Sequence, residues 1–214
     1  MIKALLFDLD GVIVDTAVYH YKAWKRLANE LGFDFTEEQN ESLKGVSRIE
    51  SLARILAWGD VEKNAEERES LATKKNSWYV DMISQMTPAE ILPGTREFIE
   101  AAREKGYKIA LGSASKNSGL ILERTELAAL FDEIVDGNTV THFKPNPEVF
   151  LQGARALGVN PADCLVFEDA FAGIEAARRA GMKSVGIGSA NVLRDADIVV
   201  SGLDKLTLAD IGSL

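Results

Sequence analysis

Lys3-Ala4-Leu5-Leu6-Phe7-Asp8-Leu9-Asp10-Gly11 runs from an unbroken apolar segment directly into two acids and a glycine. An apolar run without polar alternation predicts a strand buried on both faces, the form strands take in parallel sheets covered by helices. Runs of the same kind recur at Lys108-Ile109-Ala110-Leu111-Gly112, at 133–135, at Cys164-Leu165-Val166-Phe167, at 184–187 and at 197–200. Helical periodicity fills the intervals at about 94–105, 117–126, 146–157 and 171–180. Gly106, Gly158 and Gly181 follow three of these helices, where a left-handed C-cap is easiest for glycine. Strand and helix alternating through short connections predict an α/β fold, a doubly wound parallel sheet of Rossmann-like type. Its ligand site belongs at the carboxyl ends of the strands.

One interval breaks the rhythm. Residues 16–92 carry helical pattern only: one helix over 17–31, one begun by Ser47 with Glu50 as its capping-box partner, and one over 66–86. This predicts an inserted all-helical cap domain at 16–92, with 1–15 and 93–214 forming the core. Linkers near Asp15-Thr16 and 91–94 would join the two.

Bulk properties exclude several classes of function. The chain has 214 residues with 24 Lys plus Arg against 33 Asp plus Glu, a formal net charge of -9. Such a surface argues against nucleic acid or anionic membrane as partner, and an anionic substrate needs a local basic site. The single cysteine, Cys164, permits neither an internal disulfide nor a cysteine zinc site. No apolar run approaches the ~20 residues of a membrane helix, and the N-terminus shows no signal-peptide pattern. A cytoplasmic monomer is expected.

Asp8 and Asp10 project from the end of the first strand, and Gly11 allows a sharp turn beside them. Alone, this pattern also fits a strand-ending turn or a calcium-like loop. Three further polar clusters at strand ends favour chemistry. Ser113-Ala114-Ser115-Lys116-Asn117 offers hydroxyls and N–H groups near a helix start, fit for phosphate. Lys144 precedes Pro145, which restricts its backbone. Glu168 and Asp169 add oxygen ligands for a hard cation. Two neighbouring acids can divide nucleophilic attack and proton transfer between them.

These four segments resemble the motifs of the haloacid dehalogenase superfamily of phosphotransferases, over almost the whole chain. The resemblance implies a haloacid dehalogenase type core, Asp8 as the residue that becomes an aspartyl phosphate, and Asp10 as general acid and base. It implies that Ser113 and Lys144 hold the transferring phosphoryl group. Mg2+ would be held by Asp8, the Asp10 carbonyl, Asp169 and Glu168.

The cap segments resemble the β-phosphoglucomutase family within it: Thr16-Ala17-x-Tyr19-His20 with Trp24, Leu43-Lys44-Gly45-Val46-Ser47-Arg48, and Lys75-Asn76 followed by Tyr79. That likeness implies interconversion of β-D-glucose 1-phosphate and β-D-glucose 6-phosphate, with β-D-glucose 1,6-bisphosphate as primer and intermediate. It assigns Gly45, Val46, Ser47 and Arg48 to the sugar and its far phosphate, and counts Thr16, Trp24, Lys75 and Ala114 among the substrate-binding residues. Ser115, Lys116 and Asn117 grip from the core, and His20 pairs with Asp10 as the cap closes. A sugar-phosphate or phosphoglycolate phosphatase of the same superfamily is the alternative; a non-enzymatic protein on this fold disagrees with the intact acids.

The residues themselves give a rival account of some cap positions. His20 shares a helical stripe with Trp24, Leu27 and Leu31, as a half-buried core histidine does. Trp24 reads as packing with a wall role, Arg48 as a cation in a first helical turn, and Lys75 as a solvated lysine on a charged helix. Val14, Gly112 and Phe143 depart from the residues usual in these mutases.

Overall fold

The computed structural model describes every residue of the chain except 213. Six strands form one parallel sheet: β1 (Ala4–Phe7), β2 (Lys108–Gly112), β3 (Glu133–Val135), β4 (Cys164–Glu168), β5 (Lys183–Ile187) and β6 (Ile198–Val200). Their order is β3-β2-β1-β4-β5-β6. Strand order therefore reverses between β1 and β4, the crevice where doubly wound sheets bind ligands. The register sets Phe7 beside Leu111 on one side and Phe167 on the other. Asp8, Ser113 and Glu168 consequently reach the same edge of the sheet.

The apolar runs are buried on both faces, as their lack of alternation requires. Leu5 and Phe7 pack into one core cluster with Phe98, Ile99 and Leu122. Ala4 and Leu6 point into the other, against Phe150, Ala154 and Ala177. The covering helices are α5 (Thr95–Glu104) and α6 (Ser118–Arg124) on the first face, with α7 (Glu148–Leu157) and α8 (Phe171–Arg179) on the second. Gly106, Gly158 and Gly181 all have positive φ after their helices, as expected for C-caps.

Between β1 and α5 the described chain is helical: α1 (Ala17–Glu30), α2 (Glu37–Glu41), α3 (Arg48–Trp58) and α4 (Ala65–Ile83). These helices own a separate apolar cluster that includes Trp24, Leu27, Phe35, Leu52 and Ile55. The two connections to the core run side by side, with Val14 bridging Ile91 and the Leu92 N–H bonding the Ile13 carbonyl at 2.9 Å. A short final helix, Leu208–Gly212, lies beside α5. Among the described residues no helix is long and apolar enough to cross a membrane.

Two local expectations need correction. α4 starts at Ala65, where Asn64 and Glu67 form a reciprocal capping box, and it stops at Ile83. At α3 only half of the expected box exists: Ser47 accepts the Glu50 N–H, but the Glu50 carboxylate turns outward to Arg54 at 3.1 Å.

Candidate active site

Every site residue predicted from the sequence lines one cavity of about 410 Å³ between the helical segment and the carboxyl edge of the sheet. Core residues supply its floor. Asp8 follows β1 and is 7% exposed, Ser113 follows β2, and Glu168 ends β4. The Lys144 ammonium donates to Asp8 Oδ1 and, at 2.5 Å, to Glu168 Oε1. Glu168 Oε2 accepts the Ala170 N–H at 3.0 Å, so both its oxygens have protein donors. Burial alone pulls the Lys144 ammonium down, but the carboxylates of Asp8 and Glu168 more than reverse this and hold it charged. The Lys144–Pro145 peptide is cis. Phe143, where a small residue is usual in the mutases, packs partly buried against the second core cluster, and Phe150 lies under the ammonium at 4.9 Å. Phe150 also accounts for Gly112, since a Cβ there would sit 2.9 Å from its ring.

Two glycines let the acids crowd together. A Cβ on Gly11 would lie 2.1 Å from Asp169 Oδ2, and one on Gly173 would lie 1.9 Å from the Glu168 carboxyl. Burial first, and then the charge of Asp8, raises Asp10 to about 7. Asp169 is pushed up by the same two causes. Burial also raises Glu168 against the opposing pull of Lys144. More buried carboxyl groups than cations therefore meet here, an oxygen-only donor set that suits a hard divalent ion. Among the described residues no three acidic, histidine or cysteine side chains form a metal nest by themselves. Glu168 is committed to Lys144, which leaves Asp8, Asp10 and Asp169 as the acids facing the cavity.

The phosphate loop after β2 is tied down internally. Ser113 Oγ accepts the Ser115 N–H at 3.1 Å, and Ser115 Oγ accepts the Asn117 N–H at 3.2 Å. Gly137 and Asn138 brace it from outside, bonding the carbonyls of Ser115 and Lys116.

On the helical wall Lys75 departs from the rival reading of a solvated lysine. Lys75 is 2% exposed rather than solvated, because α4 turns that face against α1. Its ammonium lies 2.9 Å from His20 Nδ1 and 4.2 Å from the centre of the Trp24 ring. Burial, followed by the charge of Arg48, lowers the Lys75 ammonium well below its ordinary value. Burial and the charge of Lys75 do the same to the His20 imidazole. His20 thus pairs with Lys75 here, whereas Asp10 Oδ1 accepts from the buried Thr16 hydroxyl. Trp24, 3% exposed, both packs in the helical core and walls the cavity. Gly45, Val46 and Ser47 lead into α3, where Arg48 stands half-buried without a hydrogen-bond or ion-pair partner among the described residues.

Sequence reasoning left out two contacts that cross from the helical wall to the core. Asn117 Nδ2 donates to Asn76 Oδ1 at 3.2 Å, and the Lys44 ammonium lies 3.5 Å from Asp169 and 3.0 Å from Glu41. Both residues adjoin predicted positions, and adjacency was the signal available.

The family model for haloacid dehalogenase-like hydrolases matches residues 2–181. The chain belongs to that family. Among its haloacid dehalogenase-like relatives, the β-phosphoglucomutase of Bacillus subtilis is 45% identical over 96% of this chain and 92% of its own length. A phosphorylated carbohydrates phosphatase of Thermotoga maritima is 30% identical over 86% of this chain and 83% of its own. The crystal structure of a β-phosphoglucomutase from Clostridium difficile superimposes with a TM-score of 0.95 at 44% identity, covering 100% of this chain and 96% of that one. The family's helix-capped parallel sheet is thus the architecture of this chain.

Proposed function

We propose that this chain is a β-phosphoglucomutase, interconverting β-D-glucose 1-phosphate and β-D-glucose 6-phosphate through a phosphorylated Asp8. One observation carries this reading: the cavity joins the Asp8–Asp10 acid pair to Arg48, a half-buried cation with no acidic partner among the described residues. A phosphatase needs one phosphate site, whereas a mutase must hold a second phosphate while the first reacts. High identity to named β-phosphoglucomutases over nearly the full chain supports the same choice.

In the proposed cycle a substrate hydroxyl attacks the phosphorus carried by Asp8. The bond from phosphorus to the Asp8 oxygen breaks, the new bond to the sugar oxygen forms, and Asp10 takes the hydroxyl proton. The resulting β-glucose 1,6-bisphosphate turns end for end. Asp8 then attacks the other phosphate, and Asp10 returns the proton to the departing sugar oxygen. A carboxyl raised to about 7 changes hands with a proton readily near neutrality. Ser113 and Lys144 steady the moving phosphoryl group while Arg48 and the 115–117 loop hold the other. Asp8, the Asp10 carbonyl and Asp169 would hold Mg2+, which when bound offsets the charge between Asp8 and the phosphoryl group. Cap residues 16–92 shield the aspartyl phosphate from water between the two halves. The same reading makes the protein a cytoplasmic monomer acting on a small sugar phosphate.

The test follows glucose 6-phosphate and free phosphate together, from β-glucose 1-phosphate with magnesium. Glucose 6-phosphate should accumulate only after a bisphosphate primer is added, with phosphate release far below turnover. Phosphate released at the rate of turnover would make the protein a phosphatase instead.

Arg48→Ala provides a second check. Loss of a charge-assisted phosphate contact should weaken the sugar bisphosphate by about 2–3 kcal/mol, roughly 30- to 150-fold in kcat/KM. Transfer from acetyl phosphate, which lacks a far phosphate, should change much less. An equal loss for both donors would give Arg48 a structural role.

A further inference from the structure

Lys144 stands on the loop between β3 and α7, and a lysine on an untethered loop would be a poor partner for Asp8. The tether is the first residue of α7, Glu148. Its Oε1 accepts the Thr141 N–H at 3.0 Å and the Gln152 amide at 2.9 Å. Its Oε2 accepts the His142 N–H at 2.9 Å and the Thr141 hydroxyl at 3.0 Å, and lies 2.7 Å from His142 Nδ1. Thr141 and His142 have no hydrogen-bond partner besides Glu148 and each other among the described residues. Beyond Lys144, the Glu148 N–H donates to Asn146 Oδ1 at 3.0 Å, and the Asn146 N–H donates to the Phe143 carbonyl at 3.0 Å. One residue therefore fastens the loop on both sides of Lys144.

A carboxylate that only opened a helix would bond the N–H groups of its own first turn. This one is only 20% exposed and is turned back onto residues six and seven positions earlier. The Thr141 N–H above all, and then the His142 side chain, push the Glu148 carboxyl down to about 2, so it stays an acceptor throughout the working range.

We propose that Glu148 is the positioning residue of Lys144, fixing its ammonium against Asp8 through the 141–146 loop without touching substrate. The proposal rests on Lys144 serving the phosphoryl group, as argued above, and is independent of which sugar is used.

Glu148→Ala should weaken the affinity of the magnesium-loaded protein for beryllium fluoride, a phosphoryl mimic at Asp8, by about tenfold, as removal of a supporting ligand does elsewhere. It should lower kcat by a similar factor with little change in KM, and speed amide exchange in residues 139–147. Glu148→Gln, which keeps one acceptor oxygen, should fall between, and it carries the same test if the alanine variant does not fold. Asp132→Asn is the control for general loosening. That carboxylate clamps the Ile109 N–H at 2.8 Å and Arg103 at 3.0 Å at the far end of the sheet. Beryllium fluoride affinity unchanged by the Glu148 substitutions, or reduced equally by Asp132→Asn at matched loss of Tm, would overturn the assignment. Failure of the mutase reading would show instead in the wild-type sugar assay, leaving the beryllium fluoride comparison intact.

Discussion

Asp8→Ala is expected to lower turnover by about 10⁵-fold or more, equivalent to ~7 kcal/mol of barrier. No other described carboxyl group can take its place. Glu168 is committed to Lys144 and Ala170, Asp10 is held by Thr16, and Asp169 lies against Gly11 and Lys44. The fold should survive the change. Asp8 is among the groups that raise Asp10, Glu168 and Asp169, so its removal relieves repulsion while Lys144 keeps Glu168 as partner. Tm measured beside kcat separates the two effects. Turnover above about one per cent of wild type, in a variant of unchanged Tm, would remove Asp8 from the nucleophile's role.

Lys144→Met should act in the opposite direction on stability. It leaves Asp8 and Glu168 buried without their cation, a change that costs about 3–5 kcal/mol when one partner of a buried ion pair is removed. Activity should fall as well, because the phosphoryl group loses a donor. The stability loss should depend on pH with a definite sign. Glu168 already has its folded value raised above its unfolded one, and removal of the Lys144 charge raises it further. A raised acid costs nothing below its unfolded value, and its penalty grows as pH climbs through the interval to the folded value. Wild type and variant carry the same Glu168 penalty up to the wild-type folded value of about 8, so urea melts should show the variant's deficit little changed from about pH 5.5 to 7.5 and growing above about pH 8. A deficit independent of pH would mean that packing over Phe150, rather than charge, is what Lys144 contributes.

The core was legible because parallel strands carry their burial in consecutive apolar residues. Runs such as Leu5-Leu6-Phe7 and Leu165-Val166-Phe167 fill both faces of the sheet and fix where each chain end emerges. Asp8, Ser113 and Glu168 were found together because equal strand register delivers them to one edge. What sequence reasoning missed depends on surfaces that meet only after folding. Lys75 reads as solvated along α4, yet the Trp24 face of α1 covers it. Asp10 accepts from Thr16 and His20 lies against Lys75, contacts set by side-chain placement within the cavity, which no periodicity records. Glu148 has the appearance of an ordinary first-turn acid, and its hold on Thr141 and His142 requires the loop to fold back. The short helix Glu37–Glu41 did carry a signal, the Thr36 and Gln39 capping box, but five residues are too few for a periodic pattern.

The central claim, that Asp8 carries the phosphoryl group between the two hydroxyls, can be tested by trapping. The protein is mixed with magnesium and β-glucose 1,6-bisphosphate labelled with ³²P, quenched in acid, reduced with borohydride, digested and sequenced by mass spectrometry. The label in the quenched protein should be acid-stable and base-labile. Reduction should convert Asp8 alone to homoserine, and chasing with unlabelled β-glucose 1-phosphate should return the label to sugar. Label found on another residue, or leaving Asp8 only as free phosphate, would contradict the account.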